Sequence, residues 1–344
     1  MAREKKNPSG SISIKHVAAK AGVSISTVSR VINNLPTVKG KNRARVMEVV
    51  KELKFQPSVF AQRLATGKSN VIALVVPRYE GIFYSFYALE LIRGIGTLCG
   101  ALKLDLLLHL TDSRSPLHLK GVGGIIFADV IGNSQQLQEA LDCLIPTVVI
   151  NNYLEDVEVT CIAVDNIGGA ESAVDYLAGL GHKKIAHITG DLVTQAAAHR
   201  LEGYKRAMER NNLKFSSEYV LKTDYSRGQA RAAVEKMLHL SDPPTAVFVA
   251  SDSMALEVMA VARESGRNIP GDLSIVGFDD NPSGLYGPVS LTTVRQPLIR
   301  MAEDSVKKLN LLISSKKTKI EKTFLPTELV IRDSCQPLKT PKPL

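Results

Sequence analysis

Apolar positions in the first 55 residues recur at helical spacing in three short bursts. Ile14, Val17, Ala18 and Ala21 share one face of a segment that Ser13 can cap, which predicts a helix over Ile14–Ala21. Gly22 supplies the sharp turn after it. Val23, Val28, Val31 and Ile32 form a second apolar face, and Ser24 caps a helix over Ile25–Asn33. A third helix, Lys39–Leu53, places Val46, Val49, Val50 and Leu53 inward. From Asn70 the pattern changes. β-branched apolar runs ("VIALVVP", "LDLLLHL", "VGGIIFA", "PTVVIN", "KIAHITG", "YVLKTD", "TAVFVASD", "LSIVGFDD") alternate with helical stretches such as "GGAESAVDYLAGLG" and "SMALEVMAVARESG". Such alternation predicts parallel sheets wound with helices on both faces, and so many strands predict two lobes.

At 344 residues the chain is long enough for two or three folded units. Charge is what separates them. Residues 1–68 carry 14 Lys/Arg and three acids, a net of +11, whereas the rest of the chain is at −2. A surplus confined to one end marks an anion-binding module on a neutral body. Cys99, Cys143, Cys161 and Cys335 show no CxxC pair, so reduced, buried thiols are expected. No apolar run spans a bilayer, and "MAREKKNPSGS" lacks the apolar core of an export signal. A cytoplasmic, nucleoid-associated protein with no membrane partner is expected.

Two short helices joined by the tight "AGVS" turn have helix-turn-helix geometry, in which the second helix enters the DNA major groove. Its outward face, within "VSISTVSRVIN", carries hydroxyls and one guanidinium but no acid. Ile25, Ser26 and Arg30 point where base edges would lie, and Arg30 can grip a guanine bidentately. Thr27, Ser29 and Asn33 are better placed for phosphates. The alternative is a three-helix module that binds protein, with the hydroxyls acting only as caps. Lys39, Lys41, Arg43 and Arg45 crowd the start of the third helix, where cations oppose the macrodipole unless an anion is near. In "FQPSVFAQRLATGKSN", Ser58 can cap a helix over Val59–Ala65 too short to persist alone in water, and Leu64 is a candidate minor-groove wedge. A linker leucine that packs on the body is the plainer alternative.

The run "IKHVAAKAGVSISTVSRVIN", then "FQPSVFAQRLATGKS", then a long α/β body resembles the LacI/GalR family of bacterial transcription regulators over residues 12–335. The resemblance implies an N-terminal all-α helix-turn-helix headpiece (12–56) and a hinge helix (57–68). It further implies an α/β two-lobed, periplasmic-binding-protein-like effector core with doubly wound parallel sheets. The lobes would be 69–163 with 292–322 and 164–291 with 323–335, leaving 1–11 and 336–344 as tails. Ile25, Ser26 and Arg30 match the family's base-contacting positions, and Leu64 with Ala65 its minor-groove lever.

Strand ends in a parallel sheet are where ligands bind, and Asn151, Asp252, Asp279 and Asp280 stand there. The resemblance adds Arg200 from "HRLEGY" as the prime effector contact, Ser251 beside Asp252 in "SDSMAL", and Tyr225 and Gln296 as further pocket positions. A capping role for Asp252 and Asp280 is the alternative. An arginine among carboxylates suits a polyol or a small anion. Two departures from the family fall in the first lobe: "SRSPLHLK" replaces a full helix, and "PRYEGIFYSFYALELIRG" is longer than usual. With no Trp for stacking on a sugar, Tyr84, Phe86 and Tyr225 are the substitutes.

Enzyme motifs are missing. "GIGTLCG" lacks the last glycine in register and sits in a helical pattern, and the seven histidines show no HExxH or HxH spacing. No metal or other cofactor is expected. The chain reads as a repressor: a homodimer on a pseudo-palindromic double-stranded operator, controlled by a small-molecule effector. A regulator answering to a non-sugar ligand or only to a protein partner is the alternative, and a cytoplasmic sugar-binding protein the remote one. The tail "SCQPLKTPKPL" has no leucine heptad for tetramerisation.

Overall fold

The computed structural model describes residues 12–33, 35–55, 69–78, 82, 85–112, 116–117, 121–287, 289–315 and 319–338. It divides into two compact units, the headpiece up to Asn70 together with residues 120–123, and the body. The expected hinge helix, with Leu64 and Ala65, lies outside the described residues, as does Tyr84.

In the headpiece, α1 (Ile14–Ala21), α2 (Ile25–Ile32) and α3 (Gly40–Glu52) follow the apolar periodicity to within a residue or so. His16 reaches back so that its Nδ1 meets the Ser13 backbone N–H at 3.0 Å. Gly22, at φ +63°, ends α1 in the left-handed region. The core is small: Val17, Ala18, Ala21, Val28, Val31, Val46 and Val49 are buried, ringed by half-buried Ile14, Val23, Ile32 and Leu53. Part of the basic crowd on α3 is structural. Arg43 donates to the Leu35 carbonyl at 2.6 Å and the Arg45 guanidinium packs against Gly22, while Lys39 and Lys41 stay exposed.

The body holds two six-stranded sheets. The first runs β11(Lys322–Leu325)–β5(Thr160–Val164)–β4(Thr147–Ile150)–β3(Gly124–Ala128)–β1(Val71–Pro77)–β2(Asp105–Thr111), all parallel. The second runs β12(Glu328–Val330)–β10(Thr292–Arg295)–β9(Ser274–Asp279)–β8(Ala246–Val249)–β6(Ile185–Ile188)–β7(Val220–Leu221), with only β12 antiparallel. Four of these strands (β5, β10, β11, β12) are not among the runs picked out by pattern. They are short, and three of them, β10, β11 and β12, open on charged or hydroxylated residues.

Two lobe boundaries shift accordingly. Residues 292–295 belong to the second sheet, not the first lobe, because Thr292–Arg295 pairs with β9. Residues 323–325 belong to the first sheet, because β11 pairs with β5. Of the cysteines, all free, only Cys99 and Cys161 are buried; Cys143 is exposed, correcting that expectation.

In the first lobe α4 (Phe86–Leu102) lies on α10 (Leu298–Ser314), and a Cβ at Gly94 would stand 2.7 Å from that of Ala302. The glycines of "GIGTLCG" therefore belong to a helix, and Gly94 serves close packing. Where the crossover from β2 to β3 is short, β2 is poorly covered: Leu107 and Leu108 are 44% and 37% exposed. In the second lobe α6 (Asn166–Gly179), α7 (Gln195–Arg210), α8 (Arg227–Leu238) and α9 (Asp252–Glu264) flank the sheet.

Candidate functional site: recognition helix and inter-lobe recess

α2 is anchored by Ser24, whose Oγ accepts from the Thr27 N–H at 3.1 Å and meets the Ser26 and Thr27 hydroxyls at 2.8 and 2.9 Å. The cap therefore knits three hydroxyls into one knot at the helix start. Ile25, Ser26 and Arg30 are exposed, Ile25 by 45% despite being apolar. Thr27, Ser29 and Asn33 sit lower on the flank, and Asn33 Nδ2 donates to Ser29 Oγ at 3.4 Å. Capping and outward display thus coexist: the hydroxyls do both, and Arg30 is left to project.

In the body, strands of both sheets aim their carboxyl ends at one place. Positive φ marks it. Lys54, Lys103, Leu144 and Asn212 adopt this conformation just beyond helices. Among the described residues the other five non-glycine cases are Asp129, Asn151, Asp279 and Asp280, at or just past strand ends, and Tyr225, in the loop between β7 and α8. Backbone held in sparsely populated regions concentrates at ligand clamps.

Side chains from both lobes share electrostatics here. Asn151 Nδ2 donates to Asp129 Oδ1 at 2.6 Å, and Gln296 Nε2 donates to Asp279 Oδ1 at 2.6 Å. Burial pushes the Asp129 carboxyl up to about 6 against the pull of Asn151, Tyr87 and the Arg200 charge. Burial likewise takes Asp279 up to about 6, again opposed by Arg200. Arg200 itself is buried, donating through Nε to Asn166 Oδ1 at 2.8 Å and through Nη1 to the Ala250 carbonyl at 2.5 Å. Its guanidinium lies over the Phe278 ring, 3.8 Å from the centroid. Tyr225 feels Arg200, Asp279 and Asp129 together, and its ring lies so close to Gly190 that a Cβ there would fall 1.9 Å from it. Across the same gap, Gln195 on α7 accepts from the Tyr153 N–H at 2.7 Å and donates to its carbonyl at 2.9 Å.

The expected residues divide on inspection. Asn151, Arg200, Tyr225, Asp279 and Gln296 come together. Ser251 is adjacent but its Oγ caps α9, accepting from the Met254 N–H. Asp252 departs from the expected effector role: its oxygens accept from Thr293 Oγ1 (2.6 Å) and the Asn281 N–H (2.7 Å), bracing the turn that carries Asp279. Burial and the neighbouring Asp279 raise its pKa well above the carboxylate range. Asp280 is paired with Arg295 and Arg332, so burial notwithstanding its carboxyl is held low. Asp129 and Gln195 were not anticipated. The strand-end rule that selects Asn151 selects Asp129 too, since it follows Ala128 directly; Gln195 has no such signal. His182 and His187 have structural partners, the former meeting Thr245 and Ser274, the latter buried between Tyr204 and Phe248 with its pKa pushed down by burial to about 4. Among the described residues no cluster of His, Cys, Asp or Glu could hold a metal, and no helix is long and apolar enough to cross a membrane.

A helix-turn-helix with an exposed cationic recognition face, carried with a two-lobed α/β body whose strand ends enclose buried polar groups, defines a DNA-binding regulator with a sensory domain. Residues 13–58 match the family model for bacterial regulatory proteins of the lacI family, and residues 174–335 that for a periplasmic binding protein-like domain. The chain is 32% identical over 338 residues to the probable HTH-type transcriptional repressor ExuR of Bacillus subtilis, covering 96% of this chain and all of the relative. The fold matches that of the lac repressor dimer bound to operator and the anti-inducer ONPF, with a TM-score of 0.83, 26% identity, and 95% and 99% of the two chains covered. It also matches the transcriptional regulator CelR–cellobiose complex, with a TM-score of 0.72, 27% identity, and 94% and 99% covered. The chain belongs to the lacI family of bacterial regulatory proteins. Its relatives are transcriptional regulators, not enzymes.

Proposed function

We propose that this protein is a ligand-responsive repressor that binds a pseudo-palindromic operator as a homodimer in the cytoplasm. One recognition helix covers a half-site, so two-fold symmetry in the DNA calls for two copies. Arg30, Ile25 and Ser26 read base edges, Thr27, Ser29 and Asn33 hold phosphates, and Leu64 with Ala65 enters the minor groove. In the body Arg200, Asn151, Tyr225, Asp279 and Gln296 contact the effector, with Ser251 and Asp252 supporting the turn beside them. Effector binding changes the angle between lobes, and hence the spacing of the two hinge segments in the dimer. A coupling of about 1–3 kcal/mol changes operator affinity roughly 5–150-fold.

The observation that carries this proposal is the exposed Arg30 on a cap-anchored α2, in a segment of net charge +11 joined to a body at −2. The test is capture of genomic fragments by the purified full chain at low salt, with and without a metabolite extract. Affinity is expected to fall steeply with salt, since counterion release scales with phosphates contacted, and to change with the extract. Failure to retain any fragment under either condition sinks the proposal.

A further inference from the structure

Among the described residues, the buried side-chain atoms without a hydrogen-bond partner include two amide oxygens directly past strand ends, Asn151 Oδ1 and Gln296 Oε1, besides Asn133 Oδ1 at the start of the helix over 134–142 and His187 Nε2 within β6. For Asn151 and Gln296, 8% and 6% exposed, the reason is chemical. Each turns its NH2 to a carboxylate, and an ionised carboxylate only accepts, so the amide orientation is set and the oxygen is stranded. A buried acceptor without a donor is costly, and a ligand rich in donors relieves it.

Charge points the same way. Asp129 from the first lobe and Asp279 from the second both lie within reach of the Arg200 charge. Two carboxylates against one guanidinium leave an excess of negative charge. Nor is Arg200 an idle anion receptor, since Nε, Nη1 and one face of its plane are already engaged. Asp129 sits in the left-handed region, at φ +70°, a conformation unusual for an aspartate placed only for packing.

We propose that the recess accepts uncharged polyhydroxy ligands and rejects their anionic derivatives, and that Asp129 is the residue that sets this selection. The idea rests on the recess being the effector site, as proposed above. Sugar hydroxyls donate to Asn151 Oδ1 and Gln296 Oε1, beside the carboxylates of Asp129 and Asp279. A carboxylate or phosphate on the ligand brings acceptors where donors are needed and like charge where the dielectric is low.

The experiment uses the full chain and matched probes: D-glucose with D-glucuronate, D-galactose with D-galacturonate, and D-ribose with ribose 5-phosphate, followed by calorimetry and thermal shift. At least one neutral member is expected to bind, with its anionic partner weaker by roughly 30-fold or more for the one extra like charge of a uronate, or the nearly two of ribose 5-phosphate, near the site. Asp129→Asn should shrink that gap to a few-fold, its melting temperature without ligand reporting that it folds. Should the variant not fold, the wild-type gap is compared at pH 7.5 and pH 5, where protonation of Asp129 should narrow it. An anionic member that binds as tightly as its neutral partner overturns the proposal, as does an undiminished gap in Asp129→Asn or at pH 5. Silence from all six probes also overturns it. The broader assignment of a ligand-responsive repressor then stands if metabolite extract still shifts DNA affinity, and falls if it does not.

Discussion

The headpiece and the recess recognise by opposite physics. On α2 the groups that matter are exposed, sit in ordinary helical backbone, and take their positions from one serine cap. In the recess Asn151, Arg200 and Gln296 are buried and Tyr225 and Asp279 half-buried, three of the five effector contacts proposed sit at positive φ, and they come from residues spread between 151 and 296. A polyanion is long, so many weak, solvated contacts suffice and the protein need not desolvate anything beforehand. A small ligand offers few atoms, so each protein group must be placed and dehydrated in advance. The difference teaches where each function is fragile: the headpiece to loss of charge or cap, the recess to loss of balance among buried charges.

The sharpest way to break the comparison is Arg200→Ala. It takes the donors from Asn166 Oδ1 and the Ala250 carbonyl and a nearby cation from Asp129 and Asp279, so a destabilisation of about 3–5 kcal/mol is expected from buried acceptors left unpaired. The response to metabolites should vanish while the headpiece keeps its DNA affinity; urea melts and gel shifts with metabolite extract check both. Arg30→Ala should cost operator binding about 1–3 kcal/mol, relaxing base preference and sparing most non-specific affinity. Competition between specific and mixed duplexes reads this, and an equal loss on every sequence would remove Arg30 from base readout.

Asp129→Asn sharpens the contrast through pH. Its carboxyl titrates near 6 in the folded chain against an ordinary value of 3.8, so folding disfavours the ionised form. The folded state then binds more protons than the unfolded one between those values, and this group's contribution to stability declines as pH rises through that window. Asparagine removes the penalty: at pH 7.5 the unliganded variant should be more stable by up to about 3 kcal/mol, the free energy of holding a carboxyl protonated across that interval of pH. The gain should fade by pH 4, as melts across that range would show. The smallest effect is Ser24→Ala, expected to cost the headpiece about 1 kcal/mol, read by thermal melting of the full chain as an earlier headpiece transition. Unchanged stability would mean the hydroxyl knot serves display alone.

How much was legible follows from the same contrast. The three headpiece helices came out of apolar spacing and caps because both are local properties, set within four residues. Arg30 was legible because it is the one cation on a face of hydroxyls. In the body, eight of the hydrophobic strands were legible, whereas β5, β10, β11 and β12 were not. Their sheet membership is decided by neighbours far along the chain, such as Thr292–Arg295 lying beside β9. Asn151 and Asp279 could be picked out as polar residues at strand ends. Asp252 could be picked out by the same rule, yet hydrogen bonds from Thr293 and Asn281 commit it to bracing a turn.

By itself the sequence determined that a basic helical module precedes a neutral doubly wound body, and which face of α2 is turned outward. Those outcomes depend on periodicity and on where charges lie along the chain. Only the tertiary structure decided that Asp129 and Arg200 share a site, that Gln195 bridges two lobes, and that amide oxygens are left wanting donors. Partnership between residues tens of positions apart is a matter of distance in space, and hydrogen-bond satisfaction is a property of the assembled set.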